Sequence, residues 1–395
     1  MRPSKKLSLI PPYLFAEIDK KIDAAKARGV DIINLGIGDP DRPTPESIVK
    51  EMHKGIDDPS THDYPPYQGT VDFRKACSNW MKKRFNVNLD PSNEILALIG
   101  SKEGIAHMIF AMIEPGDYVI IPDPAYPVYK SYTILCGGTP YTLPITPDNN
   151  YMPDPAEIPE EVARKAKIMF LNYPNNPTGA VATKEYFQKV LDFARKYDIL
   201  ICNDMAYCEM TFDGYVAPSF LELKGAKDYC VEFYSHSKTY NMTGWRVGWA
   251  AGNPEGIAAL SLIKNNTDSG VFKAIQRAAI AALESPPEVL EEINSVYKER
   301  RDTFIKGLNK LGWNVKPCKA TFYLWLPVPE GMTSIDFATE MLEKAGVVVP
   351  AGNGYGDSGE GFFRIALTVS TDRLEEALLR MEKHGISYQM SKVTK

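Results

Sequence analysis

The 395-residue sequence has no apolar run long enough to cross a membrane, so no membrane-embedded segment is expected. Its net charge is −5 with both signs mixed along the chain, and it lacks the basic stripe that is typical of nucleic-acid-binding proteins. The basic residues 1–6 are not followed by a sustained apolar segment, so no secretory signal is predicted. These absences favour a cytoplasmic protein whose partners are small molecules, with neither a membrane nor a nucleic acid among them.

Cysteine is also scarce. The chain has six cysteines, no two of them in a Cys-x-x-Cys spacing, and several lie in apolar, strand-like runs. We therefore expect reduced, buried thiols and no metal site built on cysteine pairs. The sequence contains no internal repeat and no low-complexity tract, which argues against a solenoid or a disordered chain.

The composition and length of the sequence predict a large globular fold. At 44% hydrophobic residues, the chain can bury a sizeable core, and its length predicts one large domain with a smaller one. Helix-like and strand-like segments alternate through the middle of the chain. This alternation predicts an α/β fold with helices on both faces of a sheet.

One lysine lies where chemistry is expected. Lys238 follows the apolar run 230–234 and is surrounded by the hydroxyl residues Ser235 and Ser237, with Arg246 ahead of another strand-like run. A lysine amine at such a strand end can form a Schiff base with a carbonyl compound, and hydroxyls and an arginine can hold a phosphate beside it. Pyridoxal phosphate needs this combination. The alternative is a surface lysine in a polar loop.

Other polar residues follow predicted strands in the same way. A strand at 94–99 ends in Gly100, and a helix then begins at Ser101, which is an arrangement that binds phosphate. Lys102 opposes the helix dipole there, so it faces either an anionic ligand or water. Tyr126 follows the strand 117–122, where its ring either stacks on a flat heterocycle or is structural.

Three further positions add to this set. Asn176 projects an amide from a loop between prolines, and Asp204 ends an apolar strand, where it either caps a turn or pairs with a pyridinium N–H. Tyr207 adds a phenol. Arg364 is a single arginine in the apolar run 362–367, which predicts an internal ion pair or a substrate carboxylate as its partner.

A pair of glycines near the N-terminus gives a weaker indication of a ligand-binding site. Gly36 and Gly38 suggest a dinucleotide-binding turn, but the third glycine is missing and Pro40 blocks a helix start. Close approach of the backbone to a ligand at Gly38 remains an open alternative.

Together these residues form a pattern that resembles the class I and II aminotransferases, the fold-type-I pyridoxal-phosphate enzymes, over essentially the whole chain. The motifs that carry the resemblance are Asn175-Asn176-Pro177-Thr178-Gly179, Asp204-x-x-Tyr207, Ser235-x-Ser237-Lys238 and Phe363-Arg364. Within this family, residues 11–15, 35–41 and 100–105 are similar to the LL-diaminopimelate aminotransferases.

The resemblance implies an architecture. A large cofactor-binding domain at 44–270 would hold a mostly parallel seven-stranded sheet between helices. A smaller α+β domain would be formed by residues 1–43 and 271–395. Pyridoxal 5'-phosphate would be the cofactor, and the protein would be a homodimer with shared active sites, because Tyr64 would reach across the interface to the other subunit's phosphate.

The resemblance also implies roles for the candidate residues. Lys238 would bind the cofactor covalently and move a proton, Asp204 would keep the ring nitrogen protonated, and Tyr207 would hydrogen-bond the ring hydroxylate together with Asn176. The residues implied at the phosphate are Ser101, Lys102, Ser235, Ser237, Arg246 and Tyr64, and Tyr126 would stack on the ring. The residues implied at the substrate are Tyr13, Gly38, Lys102, Tyr126, Asn176 and Arg364, the last of which would bind the α-carboxylate.

The choice of substrate depends on which cation could bind a distal acidic group. One subgroup of the aspartate aminotransferases uses an arginine of the partner subunit for the distal carboxylate, but between Lys238 and Gly270 the only arginine here is Arg246, which the resemblance places at the phosphate. The resemblance to related enzymes with a lysine at the position of Lys102 therefore implies that Lys102 binds a distal acidic group. The prediction is amino transfer from LL-2,6-diaminopimelate to 2-oxoglutarate, giving tetrahydrodipicolinate and glutamate in lysine biosynthesis. The alternatives are an aspartate or alanine aminotransferase, a carbon–sulfur lyase or aminocyclopropane-carboxylate synthase of the same fold, and a non-catalytic regulator. The Schiff-base lysine argues against the last of these.

Overall fold

The protein is described here by a computed structural model that covers residues 2, 4–10 and 14–389. The strands are β1 Ile33–Asn34, β2 Ile95–Leu98, β3 Tyr118–Asp123, β4 Thr139–Pro144, β5 Ala166–Leu171, β6 Leu200–Asp204, β7 Cys230–Ser235, β8 Gly248–Gly252, β9 Tyr323–Pro327, β10 Val347–Val348 and β11 Phe362–Ala366. The helices are α1 Leu14–Ala27, α2 Glu46–Asp57, α3 Val71–Phe85, α4 Ser101–Met112, α5 Val128–Cys136, α6 Glu160–Ala163, α7 Lys184–Tyr197, α8 His236–Thr239, α9 Pro254–Thr267, α10 Lys273–Leu283, α11 Pro287–Lys310, α12 Ser334–Ala345 and α13 Thr371–Lys383.

The largest sheet of the described chain has seven strands in the order β2-β8-β7-β6-β5-β3-β4. β8 runs antiparallel to both of its neighbours, and the other pairings are parallel. Apart from the edge strand β4, its strands are buried along most of their length, as expected for a sheet covered on both faces. The predicted α/β fold with a mostly parallel sheet is confirmed.

Two apolar layers cover this sheet. On one face, residues of α4, α5 and α9 pack against alternate strand residues such as Leu96, Phe170 and Phe233. On the other face, residues of α3, α7 and α10 pack against the intervening ones, such as Ala97, Met169 and Ile201. The alternation places every second strand side chain in each layer.

A third apolar cluster forms the core of a smaller unit, which is built from the N-terminal strand and the C-terminal part of the chain. It combines the antiparallel pair β9 and β11 and the parallel pair β1 and β10 with α11, α12 and α13. The N-terminal segment therefore joins the C-terminal part of the chain. Ala278 and Ala279 of α10 pack in the core of the large sheet, so α10 lies with the larger unit, and the predicted domain boundary at residue 270 stays a prediction.

The described helices include none that is long and apolar enough to span a membrane. All six cysteines are free thiols, and four of them are buried.

Candidate active site

A cavity of about 410 Å³ opens at the carboxyl edge of the large sheet, against the smaller unit. Its lining residues are Ile37, Gly38, Asp39, Ser101, Lys102, Tyr126, Asn172, Asn176, Asp204, Ala206, Tyr207, Ser235, Ser237, Lys238, Thr243, Arg246, Tyr323 and Arg364. All the candidate site residues of the sequence line it, with two exceptions. Tyr64 is 83% exposed and is not part of the cavity of its own chain. Tyr13 lies outside the described residues.

The sheet topology explains this convergence. The carboxyl ends of parallel strands meet at one edge, so the loops after β2, β5, β6 and β7 deliver their polar residues to the same place. β8 runs the opposite way and begins at that edge, which is why Arg246, just before it, joins the group.

Lys238 is held by a backbone carbonyl of the smaller unit. Its Nζ donates a 2.6 Å hydrogen bond to the oxygen of Gly38. Burial lowers the pKa of Lys238 to about 8, opposed by the nearby carboxylate of Asp39 and assisted by the cations of Arg364 and Arg246. The amine is therefore neutral in an appreciable fraction of molecules near neutral pH, as a nucleophile or base requires.

Asp204 is a buried carboxylate at the end of β6. Burial raises the pKa of Asp204 to about 6, although the hydrogen bonds that it accepts act in the opposite direction. Tyr129 Oη donates to Oδ2 at 2.8 Å, and the Ala206 N–H donates to Oδ1 at 3.3 Å. Each carboxylate oxygen keeps a further lone pair, so this site favours a cationic partner in the cavity.

At another end of the cavity, α4 presents its N-terminus beside an arginine. Gly100, which precedes the helix, has a φ of +83°, and a Cβ built there would lie 2.4 Å from Nη2 of Arg246. Arg246 Nη1 also donates to the oxygen of Thr243 at 2.8 Å. A helix N-terminus, hydroxyls at Ser101, Ser235 and Ser237, and a guanidinium together suit a phosphate.

Arg364 lies at the side of the cavity formed by the smaller unit. It is 1% exposed, and its Nη1 donates to Oδ1 of Asn176 at 2.8 Å while Nη2 donates to the oxygen of Gly36 at 2.5 Å. Its guanidinium carbon lies 4.1 Å from the ring centre of Tyr323. A forked donor that is held by neutral acceptors suits a carboxylate ligand.

Comparison with known proteins places the chain in a family. Residues 30–381 match the description Aminotransferase class I and II. The chain belongs to the class I and II aminotransferases. It is therefore an enzyme that catalyses transamination, and the prediction from its motifs is confirmed.

Full-length relatives narrow the similarity. The chain is 55% identical to LL-diaminopimelate aminotransferase 2 of Trichormus variabilis over 98% of this chain and 100% of the relative. It is 54% identical to LL-diaminopimelate aminotransferase of Gloeobacter violaceus over the same shares. Among solved structures, substrate-bound BacF from Bacillus subtilis superposes with a TM-score of 0.93 at 37% identity, covering 97% of this chain and 98% of that one.

Six lining residues of this aminotransferase site were not among the sequence candidates, and two of them, Asn172 and Tyr323, make specific contacts with predicted ones. Asn172 donates from Nδ2 to the oxygen of Asp204 at 2.8 Å and accepts the N–H of Asn176 at 2.8 Å, so it ties two of the site's loops together. It directly follows the apolar strand β5, a signal that was available. Tyr323 lies in the apolar strand β9 and carries no local signal of this kind.

A charged cluster between α4 and α9 was also missed. Lys264 is fully buried and forms ion pairs with Glu103 at 3.3 Å and Asp268 at 2.7 Å. Glu103 also accepts the N–H of Ile99 at 2.8 Å and contacts His107 Nδ1 at 2.9 Å. The cluster therefore fixes the turn that carries Gly100 and Ser101. A lone lysine in the apolar part of α9 was the signal.

Proposed function

We propose that this aminotransferase binds pyridoxal 5'-phosphate on Lys238 and transfers an amino group from LL-2,6-diaminopimelate to 2-oxoglutarate. The products are glutamate and the oxo acid that cyclises to tetrahydrodipicolinate with loss of water. The observation that carries the proposal is the opening of the Lys238 amine and the Asp204 carboxylate onto one cavity. The full-length similarity to enzymes of that name supports the choice of donor.

The cavity fits the cofactor at each of its polar groups. The phosphate would lie at the N-terminus of α4 between Ser101 and Arg246, where the missing side chain of Gly100 leaves room for the guanidinium. The ring nitrogen would meet Asp204, and the ring oxygen would meet Tyr207 and the amide nitrogen of Asn176. When bound, pyridoxal phosphate supplies an aldehyde for covalent attachment and a ring that withdraws electrons from the substrate's α-carbon.

Lys238 moves the proton in this proposal. Its pKa, lowered to about 8 by burial, lets Nζ accept a proton near neutral pH and return it without a large cost in either direction. The Gly38 carbonyl, which accepts a hydrogen bond from Nζ, orients the amine.

Asp204 holds a proton on its partner. Because burial disfavours its ionised form, Asp204 gains more from a cationic neighbour than an exposed carboxylate would. The hydrogen bond from Tyr129 keeps the carboxylate oriented while leaving lone pairs for that neighbour.

Arg364 would bind the α-carboxylate of the substrate. Its Nη1 and Nη2 now bond an amide oxygen and a backbone oxygen, which an anionic ligand can supplement with charge-assisted hydrogen bonds. Lys102 lines the same cavity and is the candidate for the distal carboxylate of the donor.

A homodimer would complete the site. Tyr64 is 83% exposed, and the apolar side chains of Phe110 on α4 and Leu262 on α9 are 61% and 64% exposed. α4 and α9 pack side by side, and apolar side chains exposed on adjacent helices suit an interaction surface when they form one patch. A second subunit would cover them and bring its own Tyr64 to the phosphate.

Mixing two inactive variants tests the shared site. If Tyr64 serves the other subunit, a heterodimer of Tyr64→Ala and Lys238→Ala contains one complete site, so activity returns after the subunits are exchanged. If Tyr64 acts within its own chain, no mixture recovers activity. Sedimentation of the wild type checks that a dimer forms.

A half-reaction tests the substrate. The cofactor-loaded enzyme is mixed separately with LL-diaminopimelate, glutamate, aspartate and alanine, and conversion of the cofactor to its amine form is followed by absorbance. Rapid conversion with diaminopimelate and glutamate supports the proposal. Rapid conversion with aspartate or alanine, and none with diaminopimelate, would replace the donor and leave the aminotransferase chemistry intact.

A further inference from the structure

Tyr323 contacts three residues of the site, namely Tyr207, Arg364 and Gly38. Its hydroxyl lies 3.1 Å from that of Tyr207, and its ring centre lies 4.1 Å from the guanidinium carbon of Arg364. The same hydroxyl fills the space in front of Gly38, where an added Cβ would be 1.9 Å from it. Tyr323 is 2% exposed and lines the cavity.

The pairing of β9 with β11 produces these contacts. Tyr323 is directly opposite Ala366, and Arg364 is opposite Trp325, in an antiparallel ribbon. Directly opposed residues, and residues two apart on one strand, point to the same face. Tyr323 and Arg364 are therefore diagonal neighbours on the face that the ribbon turns toward the cavity.

The hydrogen bond between the two phenols has a required direction if Tyr207 serves the cofactor. A phenol has one proton to donate, so a Tyr207 that donates to the ring oxygen must accept from Tyr323. A donor that itself accepts a hydrogen bond becomes a stronger donor. The hydroxyl of Tyr323 thereby strengthens the bond that Tyr207 makes.

The ring of Tyr323 acts on a different partner. An aromatic face against a buried guanidinium stabilises the cation and limits its orientation. Arg364 then points its fork in a fixed direction, and the backbone at Gly38, which holds Lys238, lies against the hydroxyl of the same side chain.

We propose that Tyr323 is a positioning residue that couples the two halves of the site: its hydroxyl supports Tyr207 toward the cofactor, and its ring orients Arg364 toward the substrate carboxylate. The inference rests on the proposed function. The hydroxyl and the ring have separable roles, and substitution can remove one without the other.

Two variants separate the roles. Tyr323→Phe removes the hydroxyl and keeps the ring, and Tyr323→Leu removes both. Tyr297→Phe is the matched control, because Tyr297 is buried in the same apolar cluster, lies outside the cavity, and its hydroxyl has no hydrogen-bond partner among the described residues. Tyr323→Met replaces the leucine variant if that variant does not fold.

Two measurements read the roles without relying on turnover. The first is the pH at which the absorption band of the lysine-linked cofactor changes. The second is the affinity for glutarate, an unreactive dicarboxylate, measured by calorimetry. KM and kcat for glutamate are recorded alongside.

For Tyr323→Phe we expect the spectral pKa to rise by roughly 0.3–0.5 units, because the ring oxygen loses part of its stabilisation. Its glutarate affinity and KM change by less than about twofold. Tyr323→Leu raises both the glutarate dissociation constant and KM by roughly five- to tenfold and also shifts the spectral pKa. Tyr297→Phe changes neither quantity.

Two results would overturn the inference. One is that both Tyr323 variants behave like Tyr297→Phe. The other is that Tyr323→Phe weakens glutarate as much as Tyr323→Leu does, which would assign the effect on Arg364 to the hydroxyl. A wild-type protein that binds no pyridoxal phosphate refutes the proposed function instead, and the glutarate measurement then still tests the role of the ring.

Discussion

Replacing Asp204 with asparagine tests the cost of the buried carboxylate. Burial raises the pKa of Asp204 to about 6 from its ordinary 3.8, so between these values the folded protein holds a proton that the unfolded chain has released. This difference corresponds to about 3 kcal/mol. The contribution of the group to stability is therefore greatest below about pH 4 and is lost as the pH rises through about 6.

Asparagine removes this cost and keeps an oxygen that accepts the hydrogen bond from Tyr129. In the cofactor-free protein at pH 8 we expect the free energy of unfolding of Asp204→Asn to exceed that of the wild type by about 1–3 kcal/mol, the lower figure applying if the Ala206 N–H loses its acceptor. At pH 5 the gain falls to about half, since the wild-type carboxyl is then largely protonated. The variant also loses most of the stabilisation by pyridoxal phosphate, because an amide cannot hold the ring proton.

Urea unfolding at both pH values, with and without the cofactor, measures these differences. Glu232→Gln is the control: Glu232 is buried on the adjacent strand but accepts hydrogen bonds from Ser219, Asn203, Tyr234 and the Phe220 N–H. Its replacement puts an amide donor among donors, so we expect lower stability and an unchanged response to cofactor. The reasoning would be refuted if, at pH 8 and without cofactor, the free energy of unfolding of the Asp204→Asn variant were lower than that of the wild type.

Three further predictions concern other parts of the site. The rate of covalent cofactor capture at Lys238, followed by stopped-flow absorbance, rises as the pH passes about 8, because only the neutral amine attacks; a rate independent of pH from 6 to 9 would contradict this. Lys264→Met leaves two carboxylates without their buried cation, so we expect a lower melting temperature. The cofactor dissociation constant, measured by equilibrium dialysis, rises about tenfold or more. An unchanged dissociation constant would show that the cluster does not support the turn that binds the phosphate. Gly38→Ala forces a Cβ against the Tyr323 hydroxyl, so we expect KM for glutamate to rise at least about tenfold. An unchanged KM would show that the Tyr323 side chain moves aside without affecting substrate binding.

Much of the site could be predicted because its polar residues directly follow apolar strands. In a parallel sheet such positions meet at one edge, so Ser101, Asp204 and Lys238 could be assigned to one place without knowledge of their distances. Asn172 obeys the same rule and was missed because Asn175 and Asn176 offered more conspicuous amides in the next turn.

The rest depends on contacts between distant segments. Tyr323 reads as an ordinary apolar strand residue, and only the register of β9 against β11 brings it to Arg364. Lys264 reads as a solvated lysine until α9 packs on α4 and buries it against Glu103. The packing of α10 with the large sheet likewise follows from tertiary contacts of Ala278, which its helical pattern alone does not assign to either unit.

The most direct test of the central claim is the position of the covalent bond. The protein is incubated with pyridoxal phosphate, reduced with borohydride and digested, and the modified peptide is identified by mass spectrometry. We predict a single phosphopyridoxyl group on Lys238, absent from Lys238→Ala. Labelling of Lys102, which lines the same cavity, or of no lysine at all, would contradict the assignment of the site.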